Sequence, residues 1–200
     1  MINREGDIMR LFYAITFNSD VKNKLCAVMD EIKPYCKSGR FTAAENLHLT
    51  LVFLGETPFD RIAAARKAAD AVDLEPFSIT LSGIGCFRHR GGDIMWIGAE
   101  GQQKLLKVYE RLCAGLKENG FKTEARVYSP HVTLARQAVL SGNPNCFLSH
   151  GASNIKNTGL KTSGALIELP VEKISLMKSE RISGKLKYTE IYGKSLKGEW

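Results

Sequence analysis

This 200-residue chain predicts an α+β fold of two similar lobes that share a cleft. Each lobe is expected to be an antiparallel sheet with helices outside and its open face turned to the cleft. Three observations lead there. The tetrad His48-Leu49-Thr50-Leu51 returns as His131-Val132-Thr133-Leu134. What precedes each tetrad also returns: an amphipathic helical stretch, a glycine, then a short approach. The remaining strand candidates are joined by hairpin turns rather than by regular crossover helices. The repeat implies a pseudo-twofold axis within a single two-lobed domain spanning residues 1–200.

The elements follow in order. Residues 11–17 are apolar and read as a first core strand, with Asn18, Ser19 and Asp20 as candidate helix caps. A helix is expected over 20–38, with Val21, Leu25, Val28 and Ile32 on one stripe and Gly39 as its stop. The strand that holds His48 runs over 48–54 and ends at Gly55. Pro58 opens an alanine-rich helix through position 71. Strands over 77–81 and 94–98 flank Phe87-Arg88-His89-Arg90-Gly91-Gly92-Asp93, a hairpin with a basic tip. The second helix of the repeat covers 102–119, with Leu105, Tyr109, Leu112 and Leu116 on its stripe and Gly120 as its stop. Residues 138–164 lack an apolar period and read as an irregular surface segment, with His150 a solvated loop residue. Two strands, 171–178 and 187–196, close the chain around a turn at Ser183-Gly184-Lys185.

Strand alternation puts His and Thr of each tetrad on one face, while Leu49 with Leu51, or Val132 with Leu134, faces a core. One such tetrad is ordinary on the polar face of a strand. Two with matching surroundings, using half of the four histidines, are not. Facing strands of this kind supply an acid, a base and two hydroxyl donors, a sufficient set for chemistry on a phosphodiester. The five cysteines (Cys26, Cys36, Cys86, Cys113, Cys146) are scattered, without a C-x-x-C pair. That spacing speaks against a disulfide framework, a zinc site and a thiol nucleophile. No apolar stretch approaches the roughly 20 residues of a membrane helix. The short run at 11–17 lacks a cleavage site, so a cytoplasmic protein is expected. Net charge is +7 and uneven: 12 Lys/Arg face 13 Asp/Glu in residues 1–100, against 16 and 8 in 101–200. A one-sided positive field fits a polyanionic partner, most simply RNA, although a basic surface also aids solubility.

The segments His48-Leu-Thr-Leu-Val-Phe-Leu-Gly55 and His131-Val-Thr-Leu-Ala-Arg136 resemble the paired signatures of the two-histidine phosphoesterase superfamily. Within it the chain is most similar to the LigT-like group, RNA 2′,3′-cyclic phosphodiesterases also called 2′-5′ RNA ligases. Met9-Arg10-Leu11-Phe12-Tyr13-Ala14-Ile15, Met95-Trp96-Ile97-Gly98 and Ile174-Ser175-Leu176-Met177-Lys178-Ser179-Glu180 carry further likeness. The resemblance implies a bilobal α+β fold, no metal and no cofactor, and hydrolysis of a terminal 2′,3′-cyclic phosphate to a 2′-phosphate. It implies His48 as proton donor, His131 as proton acceptor, and Thr50, Thr133 and Arg136 as phosphate holders. The reverse reaction, 2′-5′ ligation, and a non-catalytic RNA-end-binding module are the alternatives. RNA with cyclic phosphate ends, such as tRNA fragments or short oligonucleotides, is the expected partner of a monomer. Strict alternation turns Arg136 away from the cleft, so its role requires a bulge or a strand end after Leu134. At the hairpin tip, Arg88 and Arg90 are candidate RNA-backbone contacts.

Overall fold

The computed structural model describes residues 8–100, 103–123, 127–141 and 166–197. In chain order they form β1 (Ile8–Thr16), α1 (Ser19–Ile32), β2 (Cys36–Phe41), β3 (His48–Pro58), α2 (Ile62–Asp70), β4 (Phe77–Phe87) and β5 (Asp93–Glu100). There follow α3 (Gln103–Glu118), β6 (His131–Leu140), β7 (Ile167–Val171), β8 (Lys173–Ile182) and β9 (Lys185–Ser195). From position 142 onward the expected irregular segment, with His150 and Cys146, lies outside the described residues. No described helix is long and apolar enough to cross a membrane.

The strands lie in the order β7-β4-β5-β6-β3-β1-β8-β9, antiparallel throughout. This order is palindromic about its centre. On each side come a motif strand (β3 or β6), the strand that precedes the helix of the repeat (β1 or β5), and a further antiparallel pair. The two arms are the expected lobes. They meet in one hydrogen-bonded path through a single residue pair, Leu49 with Val132. Beyond that pair β2 takes over the free edge of β6, pairing Phe41 with Ala135 and Arg40 with Arg136. The motif strands therefore part after one rung, and the parting opens the cleft.

Two helix boundaries differ from the sequence expectation. β3 runs past Gly55 to Pro58, whose backbone is extended, so α2 opens at Ile62 after a 3-10 turn over Phe59–Arg61. α1 stops at Ile32 rather than running to 38, and Lys33–Tyr35 form a single 3-10 turn. Pro34 is the reason: it has no N–H to continue the helical ladder, and its ring crowds the carbonyl four residues back. Gly39 is thus not a helix stop but part of β2, where its bare Cα lies against Ala138. The second repeat follows expectation, with Gly120 at φ +77° ending α3. Of the three cap candidates, Asn18 caps α1 by accepting the Val21 N–H at 2.9 Å.

The helices cover one face of the sheet. Leu25 and Ile32 of α1, Ala65 and Ala68 of α2, and Leu105 and Leu112 of α3 pack on Leu11, Ile15, Leu49 and Val132, all fully buried. A second, small apolar cluster of Phe12, Ala14 and Met177, with Tyr188 against it, lies apart from that core. The opposite face thus carries its own aromatic packing, and there the histidines lie.

Candidate active site

The seam fixes the relation of the two motifs. Leu49 and Val132 are the residues that follow each histidine, and both are fully buried on the helix side. Extending this antiparallel register one residue either way sets His48 across from Thr133, and Thr50 across from His131. Residues on either side of one rung share a face, so both His–Thr pairs lie on the cleft side where the strands begin to part. The pseudo-twofold axis thus passes between two His–Thr pairs.

Each imidazole is oriented by the same backbone device. The His48 Nδ1–H donates to the Asn46 carbonyl at 2.7 Å, and the His131 Nδ1–H donates to the Ser129 carbonyl at 2.8 Å. A carbonyl accepts only, so the proton on Nδ1 is fixed and Nε2 is the working nitrogen in both rings. His48 Nε2 lies 3.0 Å from the Thr50 hydroxyl. The threonine backbones are held as well: Tyr128 donates to the Thr50 carbonyl at 3.0 Å, and the Thr42 hydroxyl to that of Thr133 at 2.9 Å.

The surroundings differ. Phe12 at 4.9 Å and Tyr188 at 5.0 Å, between ring centroids, box in His48. Burial pushes its imidazole down from near 6.5 to about 4; the Asn46 carbonyl opposes this, and the charges of Arg136 and His131 reinforce it. His48 is therefore neutral at pH 7. His131 lies beside Phe87 at 5.1 Å and Trp96 at 6.2 Å. The Trp96 indole lies over Gly85, where any Cβ would collide with the ring at 2.2 Å.

Arg136 reaches the cleft by the bulge its role required. On β5, Trp96 pairs with Thr133 but Met95 with Ala135, so Leu134 is the extra residue. Leu134 and Ala135 are both buried, and Arg136 emerges on the histidine side, lining the same cavity as His48. β3 repeats the bulge at Leu51, since Ala14 pairs with Thr50 and Tyr13 with Val52. The residue equivalent to Arg136 is therefore Phe53, which also lines the cavity. Arg40 lies across from Arg136 on β2, a pairing that parity along one strand does not reveal.

The hairpin tip is placed differently from the histidines. Arg88 is tied to the buried Asp93 carboxylate at 2.5 Å, and Arg90 is exposed at the turn. Sequence reasoning passed over Phe12, Tyr188 and Asn46. β1 is apolar on both faces, so alternation does not mark Phe12 as cleft-facing. Asn46 donates to the Leu186 carbonyl at 2.9 Å, tying the loop before His48 to the β8–β9 hairpin that carries Tyr188. That is a contact across 140 positions, with no local signal.

Two imidazoles fixed at Nδ1, one of them with a threonine hydroxyl at its Nε2 and an arginine lining the same cavity, form a site suited to proton transfer around a bound phosphoester. The chain belongs to the 2′-5′ RNA ligase superfamily, whose profile matches residues 21–181. It is 32% identical to the RNA 2′,3′-cyclic phosphodiesterase of Thermotoga maritima over 131 residues, 64% of this chain and 70% of that protein. With the RNA 2′,3′-cyclic phosphodiesterase of Thermus thermophilus the identity is 29%, over 96% of this chain and 92% of the relative. The crystal structure of E. coli LigT complexed with 3′-AMP superposes with a TM-score of 0.74 at 25% identity, covering 95% of this chain and 99% of that one.

Proposed function

We propose that this protein hydrolyses the terminal 2′,3′-cyclic phosphate of RNA to a 2′-phosphate, with His48 and His131 as the proton-transferring pair. The observation that carries the reading is the His–Thr couple repeated about the Leu49–Val132 seam, with both rings anchored at Nδ1. The names of the relatives support the same reaction. In-line opening of the cyclic diester puts the attacking water and the departing 3′ oxygen on opposite sides of phosphorus. Two histidines on two strands fit that geometry. Neutral His131 takes a proton from water as its oxygen bonds to phosphorus. The P–O3′ bond breaks, and His48 donates its proton to the 3′ oxygen. Burial favours the neutral ring. The negative charge of a bound diester opposes this, raising the His48 pKa so that the ring takes up a proton from solvent on binding. Thr50, Thr133 and Arg136 hold the non-bridging oxygens, where charge accumulates.

The family description favours one further reading of the same site: with an RNA 5′-hydroxyl as acceptor and the steps reversed, it would join 2′-5′ ends. One chain supplies both histidines, which supports a monomer. Four free cysteines among the described residues support a reducing, cytoplasmic setting.

The test is incubation with a short RNA ending in a 2′,3′-cyclic phosphate, with EDTA present, and analysis of the product end. A 2′-phosphate is expected. A 3′-phosphate would make the 2′ oxygen the leaving group, and no turnover would leave an end-binding module.

A further inference from the structure

The cavity that holds His48 is larger than the proposed reaction requires. It encloses about 760 Å³ and runs from His48 and Arg136 past Tyr188 to Arg10, Arg181 and Leu186. Small-molecule sites begin at roughly 300 Å³, so room remains beyond a terminal nucleotide. The extension is built across the β3-β1-β8-β9 arm. Glu56, Arg10, Ser179 and Tyr188 stand in one cross-strand row, and Arg181 pairs with Leu186 further along the hairpin.

Its chemistry is that of a polyanion with flat apolar parts. Lys178 and Glu180 neutralise each other at 2.8 Å, which leaves Arg10, Arg136 and Arg181 against Glu56. Tyr188 lies in the cross-strand row with Ser179 and Arg10, and Arg136 lines the same cavity, so the arginines flank an aromatic wall. Phe53, Leu186 and Ile8 line the same cavity while 44%, 41% and 64% exposed. Exposed apolar side chains interleaved with arginines suit single-stranded nucleic acid, which offers phosphates and base faces in alternation. Arg181 donates to the Gly184 carbonyl at 3.1 Å, a neutral acceptor that leaves its charge uncompensated, whereas Arg88 at the other hairpin tip is paired with the Asp93 carboxylate.

We propose that Arg10 and Arg181, with Phe53 and Leu186 lining the same cavity, form a subsite for the RNA strand upstream of its cyclic phosphate end. The inference rests on the hydrolase reading of the same cleft. A strand with its 3′-terminal phosphate at His48 and His131 leaves through the 5′ oxygen of its last nucleoside. The arm that continues the cavity then receives the preceding nucleotides.

The experiment compares the Arg10→Ala/Arg181→Ala double variant with wild type on two substrates, a nucleoside 2′,3′-cyclic phosphate and an RNA octamer ending in one. Arg88→Ala/Arg90→Ala serves as the comparator. The first variant is expected to raise KM for the octamer about tenfold, with KM and kcat on the mononucleotide within twofold of wild type. Its log–log salt dependence on the octamer should flatten by about 1.4, at about 0.7 per phosphate contact in a single strand. Unchanged octamer kinetics, or the octamer loss appearing in the Arg88/Arg90 variant instead, overturns the subsite. Equal losses on both substrates also overturn it, by moving the two arginines to the reacting phosphate. If wild type turns over neither substrate, the hydrolase reading fails separately. Fluorescence anisotropy with the labelled octamer then decides the subsite: weaker binding by the Arg10/Arg181 variant supports it, and unchanged binding overturns it.

Discussion

The two halves of the cleft share a backbone plan and differ in what surrounds it. In both, an Nδ1–H is held by the carbonyl two residues upstream, and a bulge follows the threonine. Around His48 the chain packs Phe12 and Tyr188 tightly, and the residue after the bulge that faces the cavity is Phe53. Around His131 the ring is more open, and the equivalent residue is Arg136. The repeat thus provides two similar imidazoles, and the unrepeated neighbours make them unequal. Burial depresses His48 and favours its neutral form. Arg136 on β6 and Phe53 at the equivalent place on β3 both line the His48 cavity, and this difference between the strands gives the site a direction that exact symmetry lacks.

The largest break in this comparison comes from removing either ring. His48→Ala and His131→Ala are each expected to cost about 10²–10⁴-fold in kcat on cyclic-phosphate RNA, the usual worth of a general acid or base. Circular dichroism should show an unchanged fold. A variant that keeps more than a tenth of the wild-type rate would remove that histidine from the proton-transferring pair.

The oxygen holders come next. A charge-assisted bond is worth about 1.5–3 kcal/mol and a neutral hydroxyl about 0.5–1.5 kcal/mol. Arg136→Ala should therefore lower kcat/KM more than Thr50→Val or Thr133→Val. A Phe53→Ala variant tests the asymmetry, because its loss should appear on oligonucleotides and not at the phosphate. Wild-type kinetics for Arg136→Ala on the mononucleotide would place its guanidinium away from the reacting oxygens despite the bulge.

The smallest effect concerns protonation. One limb of the kcat/KM profile, which reports the free enzyme, should fall near pH 4, where His48 titrates. Above that value the ring is neutral, and below it charged. Tyr188→Ala opens the box and lessens the burial, so the limb should move upward toward 6.5. NMR titration of the His48 Cε1–H resonance should show the same upward shift. A limb that stays near 4 in the variant would mean that Tyr188 does not cause the depression. Stability follows the same sign. The neutral buried ring contributes fully above the unfolded value near 6.5, and its contribution is lost as pH falls toward 4.

The repeated tetrads, the helix stripes and the Gly120 stop were readable because each is a local pattern with a fixed period or a fixed backbone demand. From them alone come the α+β class, the shared face of His and Thr, and the likeness of the two halves. β2 was not readable: Lys37, Ser38, Gly39 and Arg40 are exposed on an edge and carry no apolar period. The end of α1 was in principle readable from Pro34, which outweighed the apolar stripe. Arg136 was reachable from sequence only through a required bulge. The structure supplies it because burying both Leu134 and Ala135 beside β5 breaks the alternation.

The sequence by itself determined which groups are present, and that two of each exist at matched positions, since periodicity is a property of neighbours along the chain. The tertiary structure decided their relation. A single pair, Leu49 with Val132, sets each histidine across from the other motif's threonine. One hydrogen bond, from Asn46 to Leu186, ties the loop before His48 to the hairpin that carries Tyr188. Burial and electric field depend on distance in space, so the depression of His48 arises only when the arms fold together.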